Sequence, residues 1–84
     1  MREPIHVLFY TKPGCHLCDD VDEVLDILAQ RHPLAVQHID ITQDVELYQR
    51  YWRSIPVVIV GDTTLHAPIE SRTLQTVVLQ AAQR

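Results

Sequence analysis

Two patterns of apolar residues alternate along the chain. Ile5 to Tyr10 is a short, nearly continuous run of good strand formers, which is typical of a strand covered on both faces. From about Cys15 to Gln30 the apolar spacing changes to i, i+3, i+4, i+7, which marks one face of a helix and comprises Val21, Val24, Leu25 and Leu28. The dipeptide His32-Pro33 ends this helix.

The next two elements are more polar. Ala35 to Ile41 alternates with polar residues on both faces, and this pattern indicates an edge strand. Thr42 or Asp40 can cap the following helix, which the pattern places at roughly Gln43 to Trp52. We expect the apolar stripe of this helix to pack in the core rather than to bind a ligand; it consists of Val45, Tyr48, Tyr51 and Trp52, with Leu47 to one side.

Two strands and a helix complete the pattern. Val57 to Val60 is uniformly apolar and β-branched, which predicts a central strand. A hairpin-like turn over 61–64 leads to a short strand from Leu65 to Glu70. We place this strand at the edge of the sheet, because Pro68 has no N–H to donate to a neighbouring strand. Ser71 is the expected N-cap of the last helix, whose stripe comprises Leu74, Val77, Val78 and Ala81.

The element order βαβαββα restricts the topology. A helix of crossover length joins the first two strands, so these strands should be parallel with a right-handed connection. The tight turn makes the third and fourth strands antiparallel, and the two strands without polar interruptions belong in the middle. We therefore predict a single α/β domain over residues 1–84, with a four-stranded mixed sheet of order 2-1-3-4, the third strand antiparallel to the first, and helices on both faces.

Charge and hydropathy exclude several classes of protein. Seven basic and eleven acidic side chains give a formal net charge of -4, and no run of Lys or Arg exists, so we expect no nucleic-acid partner. No apolar stretch approaches transmembrane length, and the first residues, Met1 to Ile5, do not resemble a secretory signal. We therefore expect a cytoplasmic protein that does not bind membranes.

The two cysteines, Cys15 and Cys18, have the spacing C-x-x-C. A bridge between them closes a tiny loop and constrains the unfolded chain little, so a structural staple explains them poorly. In a reducing compartment the motif is more often catalytic or metal-binding. A metal site that adds His16 remains an alternative, although closed zinc sites take four ligands and the chain has no second C-x-x-C. A non-catalytic interaction domain is the third alternative.

Two segments resemble the glutaredoxin branch of the thioredoxin superfamily, in its divergent glutaredoxin-like form. Residues 9–18, F-Y-T-K-P-G-C-H-L-C, are similar to the strand, loop and active-site helix of glutaredoxins, and residues 54–58, S-I-P-V-V, are similar to the segment that carries the cis-proline. The element order matches over essentially the whole chain. The resemblance implies a thioredoxin-like three-layer fold and dithiol chemistry.

The resemblance also assigns roles to residues outside the cysteine pair. It implies a cis bond between Ile55 and Pro56 that faces Cys15, and an Ile55 backbone that pairs with the extended chain of a substrate. Lys12, Ile55 and Pro56 are therefore the candidate substrate-binding residues. Two stretches depart from the glutaredoxin pattern: His16-Leu17 replaces Pro-Tyr between the cysteines, and residues 69–73 replace the Gly-Gly and acidic pair that holds glutathione.

Disulfide exchange requires a thiolate, a path for its attack and a second thiol that releases the mixed disulfide. Cys15 falls at the start of the first helix, where free N–H groups and the dipole stabilise a negative sulfur, and Cys18 lies one turn further on the same face. Cys15 is thus the expected nucleophile and Cys18 the resolving thiol. A helix end supplies about 0.3–1 kcal/mol, and Asp19 opposes it, so we expect only a modest lowering of the Cys15 pKa.

His16 has two interpretations of equal weight. As a cation it would stabilise the Cys15 thiolate, but it can also pair with Asp19 or Asp20 three or four residues further along the helix. We expect a monomeric oxidoreductase that acts on a disulfide-containing protein or a glutathione-type substrate. No bound cofactor or metal is expected, and glutathione is a candidate co-substrate.

Overall fold

The computed structural model describes residues 3–83. Its sheet has the order β2-β1-β3-β4, with β1 parallel to β2 and antiparallel to β3, and β3 antiparallel to β4. This topology confirms the predicted α/β fold. The elements are β1 Ile5–Thr11, α1 His16–Ala29, β2 Leu34–Asp40, a 3₁₀ turn Ile41–Gln43, α2 Val45–Tyr51, β3 Val57–Val60, β4 Thr63–His66 and α3 Ser71–Ala82.

The helices cover both faces of the sheet. Phe9 of β1 contacts the ring of its register partner His38, and His38 in turn bonds Asp22 of α1, so this face points toward α1. The next β1 residue, Tyr10, points the other way and stacks on Tyr51 of α2 with ring centroids 4.5 Å apart. The third helix, α3, contacts α1 as well as β1 and β3, and therefore lies on the α1 side.

The main core lies between the two central strands and the helices α1 and α3. The spacing of the first and last helices predicted their buried residues, because Val21, Leu25, Leu28, Leu74 and Val78 are buried and Val24, Val77 and Ala81 are half-buried. Burial of apolar side chains on this scale is the main stabilising term for a chain of this size. The strand residues that face these helices are Val7, Phe9, Val58 and Val60.

The predicted core stripe of α2 is wrong in three of its four residues. Val45 is 75% exposed, Tyr48 41% and Trp52 46%, whereas Tyr51 and Leu47 are half-buried and pack against the core. The reason is where each residue lies around the helix axis. At 3.6 residues per turn, Leu47 and Tyr51 lie on one side of the helix, and the three exposed residues lie on the other. The helix has two apolar sides, and the smaller one faces the sheet.

The predicted N-caps of the second and third helices also differ from the structure. Asp44 caps α2, because its Oδ1 accepts the N–H groups of Glu46 and Leu47 at 2.9 and 3.1 Å. Asp40 instead caps the preceding 3₁₀ turn and accepts both the N–H and the hydroxyl of Thr42. These short local bonds compete with helix formation, and so they delay the start of α2.

At the start of α3, Glu70 occupies the N-cap position without a side-chain cap bond, and Ser71 is the first helical residue. The fourth strand is shorter than predicted and begins earlier. It starts at Thr63 and ends at His66, so the turn is confined to Gly61 and Asp62 and Pro68 lies beyond the strand. None of the helices within residues 3–83 is both long and apolar enough to cross a membrane.

Candidate active site

The cysteine pair lies at the junction between β1 and α1. Cys15 is the N-cap of α1, with an extended backbone conformation, and its Sγ accepts the N–H of Cys18 at 3.1 Å. The carbonyl of Cys15 accepts the N–H of Asp19 at 3.1 Å, which starts the helical bond ladder. The predicted placement of this sulfur at a helix start is therefore present in the structure. An N-terminal N–H that points at sulfur stabilises the thiolate over the thiol.

Cys15 and Cys18 form a disulfide, with Cα atoms 5.2 Å apart. Their environments differ sharply, because Cys15 is half-buried and Cys18 is only 1% exposed and belongs to the core. In the reduced protein only Cys15 would meet an incoming disulfide. This difference in exposure fits the expected roles of Cys15 as the nucleophile and Cys18 as the resolving thiol.

The loop before Cys15 requires a glycine. Gly14 has a φ of +79°, a conformation that side chains with a Cβ rarely adopt. It allows the chain to turn sharply from the end of β1 into the helix start. Lys12, two residues earlier, is half-buried in this loop, on the chain segment next to the cysteines.

The second predicted motif lies at the start of β3. The Ile55–Pro56 bond is cis, as predicted, and both residues are buried. The Ile55 N–H donates to the Tyr51 carbonyl at 3.0 Å, so this donor is already engaged and only the carbonyl side of the residue is left for pairing with a substrate. Ser54 ties the segment to the chain after β4, since its carbonyl accepts the Ala67 N–H at 3.0 Å.

The charged residues around the cysteines are arranged differently from the sequence expectation. His16 is exposed, and within residues 3–83 no ion pair or hydrogen bond joins it to Asp19 or Asp20. The carboxylate of Asp22 instead contacts His38 Nε2 of β2 at 2.8 Å. Asp22 therefore belongs to a contact between α1 and β2.

A contact between two tyrosine rings near this loop was not predicted from the sequence. Tyr10 and Tyr51 stack at an interplanar angle of 28°, and Arg50 lies 6.0 Å from the Tyr51 ring. Burial and, secondarily, the neighbouring Tyr51 raise the pKa of Tyr10 above its ordinary value of 10.0. The stack links β1 to α2 directly before the active loop.

A groove of about 230 Å³ opens beside the cysteine motif. It runs from Leu17, between the two cysteines, to Pro56 and on to the segment before α3. Sequence pattern alone does not reveal this groove, because its walls come from three distant segments. Leu17, which lines one end of the groove, is 57% exposed.

The alternative of a metal site finds no further ligands in the described part of the chain. Within residues 3–83, no group of three or more His, Cys, Asp and Glu side chains could hold a metal ion. A closed zinc site takes four ligands, so the two cysteines alone do not form one.

Comparison with known proteins agrees with this geometry. The model of the glutaredoxin-like domain (DUF836) matches residues 6–82. Among solved structures, target protein XcR50 from X. campestris is 30% identical with a TM-score of 0.72, and the match covers 90% of this chain and 97% of that one. No curated protein gave a significant match.

Two more distant structures support the fold alone. Protein Ne2328 from Nitrosomonas europaea is 24% identical with a TM-score of 0.73, over 90% of this chain and 93% of that chain. A mutant thioredoxin from Halobacterium salinarum is 16% identical with a TM-score of 0.77, over 95% and 76% of the two chains. The fold is therefore thioredoxin-like.

Proposed function

Because the chain belongs to the glutaredoxin-like domain family, we propose that it is a dithiol oxidoreductase whose redox centre is Cys15 and Cys18. One observation carries the proposal above all others. The half-buried Cys15 sulfur sits at the N-cap of α1, accepts a backbone N–H and lies within bonding reach of a buried second cysteine. A structural staple would need neither a partly accessible cysteine nor a helix start.

The proposed reaction passes two electrons to a substrate disulfide. The Cys15 thiolate attacks one substrate sulfur; a new S–S bond forms, the substrate S–S bond breaks, and the leaving thiolate takes up a proton. Cys18 then loses its proton and attacks Cys15 Sγ. The mixed disulfide breaks, the second substrate thiol is released, and Cys15 and Cys18 end as the disulfide that the structure contains.

Regeneration of the dithiol needs an external reductant, which we assign to a low-molecular-weight thiol such as glutathione or to a dithiol reductase. The substrate is then a disulfide-containing protein or a mixed disulfide with that thiol. We propose that the chain acts as a monomer in the cytoplasm and without a bound cofactor. Lys12, the Ile55 carbonyl and Pro56 are proposed to border the bound substrate, and a protonated His16 would add to the stabilisation of the thiolate.

Two cysteine variants test the different roles that this mechanism gives to Cys15 and Cys18. The reduced protein is equilibrated with glutathione buffers of graded potential, quenched with an alkylating reagent and weighed by mass spectrometry. The wild type should form the intramolecular disulfide reversibly, at a potential between roughly −270 and −120 mV. Cys18→Ser should accumulate a mixed disulfide at Cys15, whereas Cys15→Ser, whose remaining sulfur is buried, should not.

Either of two results would refute the proposal. One is a wild-type disulfide that cannot be reduced and formed again in the folded protein. The other is a mixed disulfide that forms at Cys18 in the Cys15→Ser variant while Cys15 in Cys18→Ser stays unreacted. The second result would reverse the roles that follow from the 1% exposure of Cys18.

A further inference from the structure

The second step of the proposed reaction needs a proton acceptor near Cys18. This thiol must ionise before it can attack the mixed disulfide at Cys15, and burial in apolar surroundings disfavours a charged sulfur. Cys18 is only 1% exposed, and within residues 3–83 no polar or charged side chain is buried in the core that surrounds it. The proton must therefore pass to a group at the border of the core.

One acid of the first helix, Asp22, lies at this border. It follows Cys18 by four residues, so the two side chains are neighbours on one face of α1, with Cβ atoms about 5–6 Å apart. Helical side chains lean toward the N-terminus, so Asp22 leans toward the turn that contains Cys18. Its side chain is 42% exposed and the residue is half-buried. The other acids of α1 are all exposed: Asp19, Asp20, Glu23 and Asp26.

A hydrogen bond from β2 holds the Asp22 carboxylate. His38 Nε2 lies 2.8 Å from Asp22 Oδ1. An ionised carboxylate only accepts hydrogen bonds, so Nε2 carries the proton and donates it. The second oxygen, Oδ2, has no hydrogen-bond partner among residues 3–83 and is free to accept a proton. The His38 ring also contacts Phe9, which belongs with Cys18 to the buried cluster, so the Asp22–His38 pair adjoins the same core.

The other carboxylates around this pair are less suited to the task. Asp19 and Asp26 lie about one helical turn before and after it on α1, and both are exposed. Asp40 shares a strand face with the histidine, but the hydroxyl and N–H of Thr42 donate to its Oδ1 and lower its pKa, which makes it a weaker base. The facing side of β1 has no titratable side chain and consists of Ile5, Val7, Phe9 and Thr11.

These features identify a proton acceptor, on the premise of the proposed oxidoreductase function. We propose that Asp22 accepts the proton of Cys18 and that His38 is the positioning residue for this transfer. The proton moves from Cys18 Sγ to Asp22 Oδ2, and the resulting thiolate attacks Cys15 Sγ. The Cys15–Cys18 bond forms, the bond from Cys15 to the substrate sulfur breaks, and the substrate leaves as a thiolate that takes up a proton from water. Asp22 releases its own proton to water through its exposed side.

The reaction of the reduced protein with dithiodipyridine isolates this step. Cys15 attacks the reagent in a second-order phase and releases one thiopyridone, and Cys18 then releases the other from the mixed disulfide in a first-order phase. The absorbance of thiopyridone follows both phases in one stopped-flow trace. Because the reagent is neutral and thiopyridone leaves readily, the second phase reports the ionisation and attack of Cys18.

Asp22→Asn should slow the second phase at neutral pH by roughly 100-fold, at the lower end of what a general base contributes, and leave the first phase within about threefold. At high pH the variant should approach the wild-type rate, because Cys18 then ionises without help. His38→Ala should slow the second phase by roughly tenfold, and His38→Gln, which keeps an N–H donor, by less. Asp26→Asn removes the same charge one turn further along α1 and is the matched control, which should leave both phases unchanged.

A normal first phase and an unchanged circular dichroism spectrum show that each variant is folded, and His38→Ala tests the pair independently of Asp22. Equal second-phase rates in the wild type and Asp22→Asn at neutral pH would overturn the inference. A deficit that stays constant up to high pH would also overturn it, because that result indicates a displaced Cys18, and so would an equal deficit in Asp26→Asn. If the wild type showed no second phase at any pH, the oxidoreductase mechanism itself would fail.

Discussion

Replacing Cys18 by proline and by serine isolates the backbone hydrogen bond at Cys15. The Cys18 N–H donates to Cys15 Sγ at 3.1 Å. Serine keeps this N–H, whereas proline has none, and both substitutions remove the second thiol, so that Cys15 titrates alone. Position 18 lies in the first turn of α1, where a backbone N–H has no helical partner and proline costs the helix no bond.

The expected effect follows from the strength of a hydrogen bond to a charged acceptor, about 1.5–3 kcal/mol. Cys15 is half-buried, so water competes for the sulfur and the lower end of that range applies. A difference of about 1.4 kcal/mol changes an ionisation equilibrium tenfold. The proline variant should therefore contain roughly tenfold less thiolate than the serine variant at neutral pH, with the remaining N–H groups and the helix dipole common to both.

The rate of alkylation by iodoacetamide, measured against pH, gives this fraction directly. The serine variant should reach half of its maximal rate at a lower pH than the same chain in denaturant, and the proline variant at a pH between these two. Leu17→Pro in the Cys18→Ser background is the matched control, because it adds a proline to the same turn but leaves the Cys18-position N–H in place. Circular dichroism checks that α1 remains folded in each variant.

Two results would contradict the argument. If the serine and proline variants had the same pH profile with α1 intact, the Cys18 N–H would make no contribution to the thiolate. If the folded serine variant titrated like the denatured chain, the entire N-terminus of α1 would be without effect on the Cys15 pKa. In that case the placement of Cys15 at a helix start would no longer support a redox role.

Three further predictions concern stability and use urea unfolding of the oxidised protein. Phe9→Ala, in the buried centre of β1, should cost about 3–5 kcal/mol, whereas Val45→Ala on the exposed side of α2 should change stability by less than about 0.5 kcal/mol. Asp44→Ala removes the cap of α2 and should cost about 0.5–2 kcal/mol, while Ser71→Ala, at a residue that caps nothing, should be close to neutral; equal losses would refute the cap assignment. The bonds from Thr42 lower the pKa of Asp40 below its ordinary 3.8, so the ionised form stabilises the folded state above that pH and the benefit is lost as the pH falls through the lowered value. The stability difference between wild type and Asp40→Ala should accordingly shrink below pH 3.8, and a difference that grows on acidification would show that the sign is wrong.

Local pattern was sufficient to predict the two central strands and the start of α1. The run Val57 to Val60 is uniformly apolar and coincides with β3, because a strand buried on both faces leaves no polar position. Cys15 could be placed at the helix start because the break at Pro13-Gly14 is adjacent in the sequence. The end of β4 could not be predicted in this way: the strand stops at His66, and the next residue, Ala67, donates its N–H to the carbonyl of the distant Ser54.

The parts of the site that sequence reasoning missed all join distant positions. The Tyr10–Tyr51 stack joins β1 to α2, and the contact between Asp22 and His38 joins residues that are sixteen positions apart. Neither pair has a local signature, because an exposed acid in a helix and a histidine in an edge strand are common. The groove has the same origin, since α1, the cis-proline segment and the turn before α3 each contribute a part of its wall.

The second helix shows which information periodicity lacks. Spacing alone reveals that α2 has apolar residues, but it does not say which of its two sides meets the sheet. The Tyr51 carbonyl holds the Ile55 N–H, and the Tyr51 ring stacks on Tyr10, so the end of α2 is tied at once to the cis-proline segment and to β1. This double attachment fixes the rotation of the helix and turns Trp52 outward, where the guanidinium of Arg53 lies 4.6 Å from its ring centroid. The rotation of α2 is thus set by the same contacts that hold the cis-proline segment in place.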